Sequence, residues 1–128
     1  MLARNAESLF WIGRYVERAD DTARILDVAV QQLLEDPTVD TDRMVSHVLT
    51  VLGFDPGEGP HSVWSLADTV AYDRNAPGSI VGLLRAAREN ARGAREVISS
   101  EMWECLNATY MGLGDAERRA RRLGPHDF

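Results

Sequence analysis

Residues 80–109 carry apolar side chains at regular intervals of three or four positions. At 100° per residue these positions lie within roughly 80° of one another, which predicts one helix with a narrow apolar stripe. The stripe comprises Ile80, Leu84, Ala87, Ala91, Ala94, Ile98, Met102, Cys105 and Thr109. We expect Gly112 and Gly114 to end this helix, and Cys105 to be buried in the stripe as a small apolar side chain. The pattern favours packing against another long helix.

A first long helix is predicted over residues 4–34, because its apolar positions alternate steps of three and four. These positions are Leu9, Ile12, Val16, Ala19, Ala23, Leu26, Val30 and Leu33. Phe10 and Val28 project almost opposite this stripe. We therefore expect the first helix to have neighbours on more than one side.

Shorter helices are predicted over residues 41–52 and 62–72, and a last one begins near Asp115. Ser62 and Ser79 are suited to cap the helices that follow them. Pro37 and the turn-rich segment 55–60 separate the elements, and no segment has strand periodicity. The 128 residues therefore predict a single all-α domain. Its architecture is a helical bundle with two long helices packed together plus two or three shorter helices.

The composition narrows the classes of function. The 14 basic residues are all arginine, and the net charge is −6, so no basic surface favours nucleic acid. A single cysteine fits a reducing compartment. No apolar run is long enough to cross a bilayer, and no signal peptide opens the sequence. We expect a cytoplasmic protein that binds neither nucleic acid nor membrane.

Charged residues form a row on the first helix, on the line between Phe10 and Val28. The row contains Arg14, Glu17, Asp21 and Arg24. Three interpretations remain open: surface ion pairs worth about 0.3–0.5 kcal/mol each, a half-buried network between the two long helices, or a site for a charged ligand.

Polar residues of the second long helix fall into separate groups. Arg85, Glu89, Arg92 and Glu96 lie far from the apolar stripe and are expected to be solvated. Arg88 and Arg95 border one edge of the stripe, whereas Asn90 and Glu101 border the other. Residues at such edges can reach a facing helix, so we expect Arg88 or Arg95 to meet Glu17 or Asp21.

Common catalytic motifs are absent from the sequence. It contains no glycine-rich phosphate loop, no H-E-x-x-H and no G-x-S-x-G. The three histidines, His47, His61 and His126, lie outside both long helices and cannot supply the Glu-x-x-His pairs of a di-iron bundle. We predict no metal and no cofactor on this chain.

Three stretches together resemble the bacterial alpha-E domain, an all-helical domain with a Glu-Arg motif. They are NAESLFWIGRYVERADDTARILDV (residues 5–28, with Glu17-Arg18 at the centre), NAPGSIVGLLRAARENARGAREVISSEMWECLN (residues 75–107) and the terminal GPHDF. The family's domain is typically more than twice as long and carries a second Glu-Arg helix in its later half. The resemblance thus implies that residues 1–128 form a helical alpha-E domain lacking that half.

The resemblance implies which proteins accompany this domain, but it implies no reaction. Alpha-E domains occur fused to, or encoded beside, circularly permuted ATP-grasp proteins and transglutaminase-like proteins, in systems thought to join amines to carboxylates. The implied function is a non-catalytic accessory or interaction module of an ATP-grasp peptide or amide ligase. The alternatives are a substrate-binding or catalytic subunit that grips carboxylates through arginines, and a self-associating structural protein. The residues expected to form the polar network or interface are Arg14, Glu17, Arg18, Asp21, Arg24, Arg88, Asn90, Arg92, Arg95, Glu101 and Asn107.

Overall fold

The computed structural model describes residues 3–123, and at residue 123 it describes the backbone alone. The GPHDF motif at 124–128, which includes His126, lies outside the described residues. The helices are α1 (Ala3–Glu35), α2 (Thr41–Val51), α3 (Val63–Ala67), α4 (Ile80–Gly93) and α5 (Ser100–Leu123). A single π-helical turn, Asp68–Tyr72, continues α3. Residues 3–123 contain no strand, which confirms the all-α prediction.

Helix α1 packs most extensively against α4, so the prediction of two packed helices is confirmed for this pair. Its buried apolar residues Ile12, Ala19, Leu26 and Val30 recur at the predicted spacing. The opposite side of α1 was expected to pack against a second neighbour. Phe10 is 58% exposed and Val28 is 65% exposed, so within residues 3–123 that side is largely uncovered, and only its C-terminal end borders α2, at Met44 and Val48.

Helix α4 begins where the sequence predicts and buries the first four residues of the predicted stripe. The side-chain oxygen of Ser79 accepts a hydrogen bond from the Gly82 N–H at 3.0 Å, which caps the first turn. The Ser79 hydroxyl in turn donates towards the backbone carbonyls of Asp73 (2.7 Å) and Ala76 (3.0 Å). Ile80, Leu84, Ala87 and Ala91 are all buried. This cap fixes the loop between the π turn and α4.

The single helix predicted over residues 80–109 is wrong, because the chain turns at residues 94–99. Ala94 leaves the helical conformation at φ −124°, directly after Gly93. Ser99 starts a new helix, since its side-chain oxygen accepts from the Met102 N–H at 3.1 Å. Gly93 costs about 1 kcal/mol within a helix, and Ser99 is a strong N-capping residue. Together they favour a break between these two positions. The result is a helical hairpin in which α5 packs against α4.

The break also changes which face of α5 points inward. The half-buried residues of α5 include Trp103, Leu106, Tyr110 and Leu113, one position removed from the predicted stripe. Cys105 is therefore exposed, contrary to prediction. The prediction that Gly112 and Gly114 end a helix is also wrong. Both lie inside α5, which continues to Leu123.

The short helices close the remaining side of the core and match their predicted positions. Ser62 caps α3 through a reciprocal pair of hydrogen bonds with Ser65, at 2.8 and 3.0 Å. Asp40 caps α2, where its side chain accepts from the Arg43 N–H. In the loop between α1 and α2, hydrogen bonds from the Thr38 hydroxyl and N–H lower the pKa of Asp36. Such local bonds define the turn that directs α2 back along the bundle.

Candidate functional site

The exposed side of α1 carries aromatic side chains at its N-terminal end. Phe10 and Trp11 meet edge to face, with ring centroids 5.3 Å apart, and Trp11 is 5.6 Å from Tyr15. Phe10 and Trp11 are 58% and 40% exposed. At 100° per residue, nine exposed positions of this helix fall on one arc of about 140°. We call this surface the outer face of α1; it comprises Phe10, Trp11, Arg14, Glu17, Arg18, Asp21, Arg24, Ile25 and Val28.

The Glu17-Arg18 dipeptide lies at the middle of the outer face, in a shallow cleft of about 220 Å³. The cleft is lined by Trp11, Arg14, Tyr15, Glu17, Arg18 and Asp21. The Arg18 guanidinium extends towards the loop before α4, where a Cβ atom added to Gly78 would lie 3.7 Å from it. Three members of the charged row predicted on the first helix, Arg14, Glu17 and Asp21, line this cleft together with Arg18, and Arg24 does not.

The charges of this cleft have no ion-pair partners elsewhere in residues 3–123. No salt bridge in that range involves Arg14, Glu17, Arg18 or Asp21. All four side chains are exposed, so a half-buried network between the long helices does not form. The outer face is a charged surface with unmatched groups of both signs.

Arg24, at the far end of the row, pairs with Asp20 at 3.1 Å rather than with Asp21. Both side chains are more than half exposed. Exposed pairs of this kind contribute about 0–1 kcal/mol and open readily. Arg24 therefore remains available to other partners on the outer face.

A second polar group joins α4 to α5. The Arg88 Nε–H donates to the Asn107 side-chain oxygen at 2.8 Å, and the guanidinium carbon lies 5.2 Å from the Tyr110 ring centroid. Arg95 stacks over Trp103 at 4.6 Å. These contacts cross the hairpin between α4 and α5. These contacts indicate that Arg88, Arg95 and Asn107 hold α5 against the preceding helix and turn.

The expected contact of Arg88 or Arg95 with Glu17 or Asp21 is wrong. The turn at 94–99 folds α5 back beside both arginines, and an amide and two aromatic rings of α5 receive them. The other predicted residues of this group remain local. Arg92 pairs with Glu89 at 3.5 Å, Asn90 donates to the Ala86 carbonyl at 3.0 Å, and Glu101 is exposed in the first turn of α5.

Replacing Arg88 by methionine tests the assignment to the hairpin. The variant loses a charge-assisted hydrogen bond and a cation–π contact, so we expect the free energy of unfolding to fall by about 1–2 kcal/mol. The same change at Arg85, which is exposed on α4, should alter it by less than about 0.5 kcal/mol. Urea unfolding of both variants measures the difference. Equal stability of the two would contradict a structural role for Arg88.

Sequence reasoning missed the ionic contacts at the C-terminal end of α5. Arg121 bonds to Asp68 at 2.8 Å and to Glu117 at 3.1 Å, and it stacks over Trp64 at 4.5 Å. Glu117-Arg118 is a second Glu-Arg dipeptide, in which Arg118 pairs with Asp115. The four-residue spacing of Glu117 and Arg121 was visible in the sequence. Their contact with the π turn was not, since it depends on how α5 packs.

Two further pockets lie away from the outer face of α1. One, of about 270 Å³, is mainly apolar and borders Tyr72, whose pKa is raised by burial and by the nearby Glu117 carboxylate. The other is a wide polar cleft between α2 and its following loop, near His47 and His61. In the described part of the chain, no group of three or more His, Cys, Asp or Glu side chains is arranged to hold a metal ion.

Comparisons with known proteins give one family match and several uncharacterized relatives. The family model Alpha-E, described as a predicted alpha-helical domain with a conserved ER motif, matches residues 1–127. The uncharacterized protein Mb2597 of Mycobacterium bovis is 29% identical over 120 residues, and the uncharacterized protein Rv2567 of Mycobacterium tuberculosis is 28% identical over 120. Each alignment covers 80% of this chain but only 14% of the relative.

No solved structure matches the chain at a significant level. No helix within residues 3–123 is long and apolar enough to cross a membrane. The family match extends over both long helical regions and includes Glu17-Arg18 at the centre of the outer face. The chain belongs to the Alpha-E family of helical domains with a conserved Glu-Arg motif.

Proposed function

We propose that this domain is a non-catalytic interaction module that accompanies an ATP-grasp peptide or amide ligase. Its partners in that setting are a circularly permuted ATP-grasp protein, a transglutaminase-like protein, or both. The outer face of α1 supplies the contacts on which the assembly depends. The resemblance to the alpha-E domain implies these partners, and the exposed residues of α1 supply the surface.

The observation that carries the proposal is the combination of exposed aromatics and unmatched charges on one helix face. Single exposed apolar side chains are ordinary on protein surfaces. Here Phe10 packs against Trp11, and Trp11 lines the cleft that holds Glu17 and Arg18. Aromatic and arginine side chains are the residues most enriched in interfaces.

Binding to the ligase system tests this role directly. The tagged chain is titrated against the purified ATP-grasp protein and transglutaminase-like protein of the same genome. We expect Trp11→Ala to weaken the association about tenfold, as truncation of an interface aromatic commonly does, and Glu17→Gln to weaken it as well. Arg85→Met is the matched control and should bind like the unsubstituted chain. Absence of binding to both proteins, or equal affinity of all variants, would overturn the proposal.

One observation favours the alternative of a carboxylate-binding subunit. Arg14 and Arg18 share the cleft and have no salt bridge within residues 3–123, so they could receive a carboxylate by paired hydrogen bonds. Glu17 and Asp21 line the same cleft and oppose a second negative charge. A thermal shift with amino acids or dipeptides that disappears in Arg14→Met would favour this alternative over the interaction module.

A further inference from the structure

We infer that the apolar cavity beside Tyr72 binds a small amine, with the ammonium group at the Asp27 carboxylate and the apolar body inside the cavity. The ligand carries an oxygen at the end remote from the nitrogen, and the Tyr72 hydroxyl donates a hydrogen bond to it. This site goes beyond the proposed function. At 100° per residue, the α1 residues that line it lie on a different arc from the outer face, so the two surfaces are separate.

The cavity exists because α1 and α5 do not pack closely against each other. It lies between these helices, the start of α4 and the end of the π turn, and its volume is about 270 Å³. Because an apolar cavity of about 150 Å³ accommodates benzene, this volume suits a ligand of about ten non-hydrogen atoms. The apolar residues that line it include Leu26, Val30, Ala71, Ile80, Leu113 and Ala116.

The charge of the lining selects a cation. Among the described residues that line the cavity, Asp27 alone is charged, and no salt bridge within residues 3–123 includes it. Glu117 lies near Tyr72, but Arg121 pairs with it at 3.1 Å. Asp27 is exposed, so an ammonium group beside its carboxylate stays in contact with water and avoids the cost of burying a charge.

The exposed position of Asp27 also determines how the ligand enters. A lysine side chain from another protein would enter with its ammonium group foremost, away from the carboxylate at the rim. A free amine can enter with its apolar body foremost and leave the ammonium group beside Asp27. Burial of that body against apolar walls supplies affinity, and the carboxylate supplies the orientation.

Tyr72 supplies the polar group at the buried end of the cavity. The residue is 5% exposed, and no hydrogen bond within residues 3–123 involves its hydroxyl. Buried polar groups normally have a hydrogen-bond partner, so a ligand oxygen would satisfy this hydroxyl. Burial and the Glu117 carboxylate raise the pKa of Tyr72, so the hydroxyl keeps its proton and can donate it. Tyr72 also ends the π turn, a rare element that is frequent at functional sites.

Tyramine is the probe that matches this arrangement, because it has ten non-hydrogen atoms, an ammonium group at one end and a phenol oxygen at the other. Binding to the isotope-labelled chain is followed by NMR in a titration up to about 10 mM. We expect saturable shifts at the residues that line the cavity, with a dissociation constant of about 1 mM or below. Two analogues should bind at least about fivefold more weakly: 2-(4-hydroxyphenyl)ethanol, which lacks the ammonium group, and 2-phenylethylamine, which lacks the phenol oxygen.

Variants of the two polar residues assign each end of the ligand. Asp27→Asn should weaken tyramine at least about fivefold and leave the affinity for 2-(4-hydroxyphenyl)ethanol unchanged. Tyr72→Phe should weaken tyramine and leave the affinity for 2-phenylethylamine unchanged. Ala116→Leu should abolish binding of all three compounds, because the larger side chain fills the cavity. Glu7→Gln, an exposed change elsewhere on α1, is the control and should bind like the unsubstituted chain.

Several results would overturn the inference. They are the absence of saturable shifts up to about 10 mM, shifts confined to residues outside the cavity, equal affinity for the three compounds, and an Asp27→Asn variant that still prefers tyramine to the alcohol. The comparison of the three compounds uses the unsubstituted chain, so it remains decisive if Tyr72→Phe fails to fold. Because no ligase-system protein is present, failure here is distinct from failure of the proposed interaction module.

Discussion

Replacing Gly82 by alanine is expected to lower the free energy of unfolding by about 1–3 kcal/mol. Gly82 lies in the first turn of α4, where an added Cβ would overlap the carbonyl oxygen of Ala76 and approach the carbonyl carbons of Ala76 and Pro77 to 3.2 Å. These are backbone atoms, and the Ala76 carbonyl accepts the Ser79 N–H at 3.2 Å. The loop cannot move aside without losing the bonds that hold the cap of α4.

Gly112→Ala is the matched control for this change. Gly112 lies inside α5, and an added Cβ there would meet nothing within 4 Å. Alanine is the better helix former by about 0.8–1.0 kcal/mol, so this variant should be more stable than the unsubstituted chain. Urea unfolding followed by circular dichroism at 222 nm compares the two. Equal effects of both substitutions would show that close packing at Gly82 does not constrain α4.

Local sequence rules were sufficient for the boundaries of most helices in this fold. Capping residues such as Ser62 and Ser79 act on backbone groups within a few positions, so their role is readable without knowing the fold. The ends of α1 and α2 were predicted to within one residue from the apolar spacing and from Pro37 between the two helices. The all-α class followed from periodicity alone.

The turn at residues 94–99 could not be predicted from the apolar pattern. The stripe continues through Ile98 and Met102 at helical spacing, so periodicity gives no indication of a break. The break is stabilised by contacts distant in sequence, such as the hydrogen bond from the Asn5 side chain to Glu96 at 3.2 Å. Propensity at Gly93 and Ser99 was the available indication, and the prediction rested on periodicity without using it.

The candidate site shows the same difference between residues on one helix and contacts that depend on how two helices pack. The charges around Glu17 lie on one continuous helix, so spacing alone places them on one face. The environment of Arg88 depends on the hairpin, and spacing on one long helix assigned it to the wrong neighbour. Residues on a single helix were therefore predicted as a group, whereas contacts across the turn required the structure.

Replacing Ala91 by leucine is expected to destabilise the domain by about 1–3 kcal/mol. Ala91 has no exposed surface, and neither has Ala87, one turn earlier on the same face of α4. Small side chains at these positions allow the helix backbones to approach closely where α4 packs on α1. Three further carbon atoms at Ala91 cannot be accommodated unless the two helices separate or neighbouring side chains leave their preferred rotamers.

Ala108→Leu separates this packing effect from the intrinsic preferences of the two residues. Ala108 is an exposed residue within α5, so the same substitution there should change stability by less than about 0.5 kcal/mol. The measurement is urea unfolding of both variants, with the midpoint expected to fall only for Ala91→Leu. The slope with denaturant should stay constant if the fold is retained, since the slope follows the surface exposed on unfolding. If both variants keep the original midpoint, the contact between α1 and α4 is looser than the burial of Ala87 and Ala91 indicates.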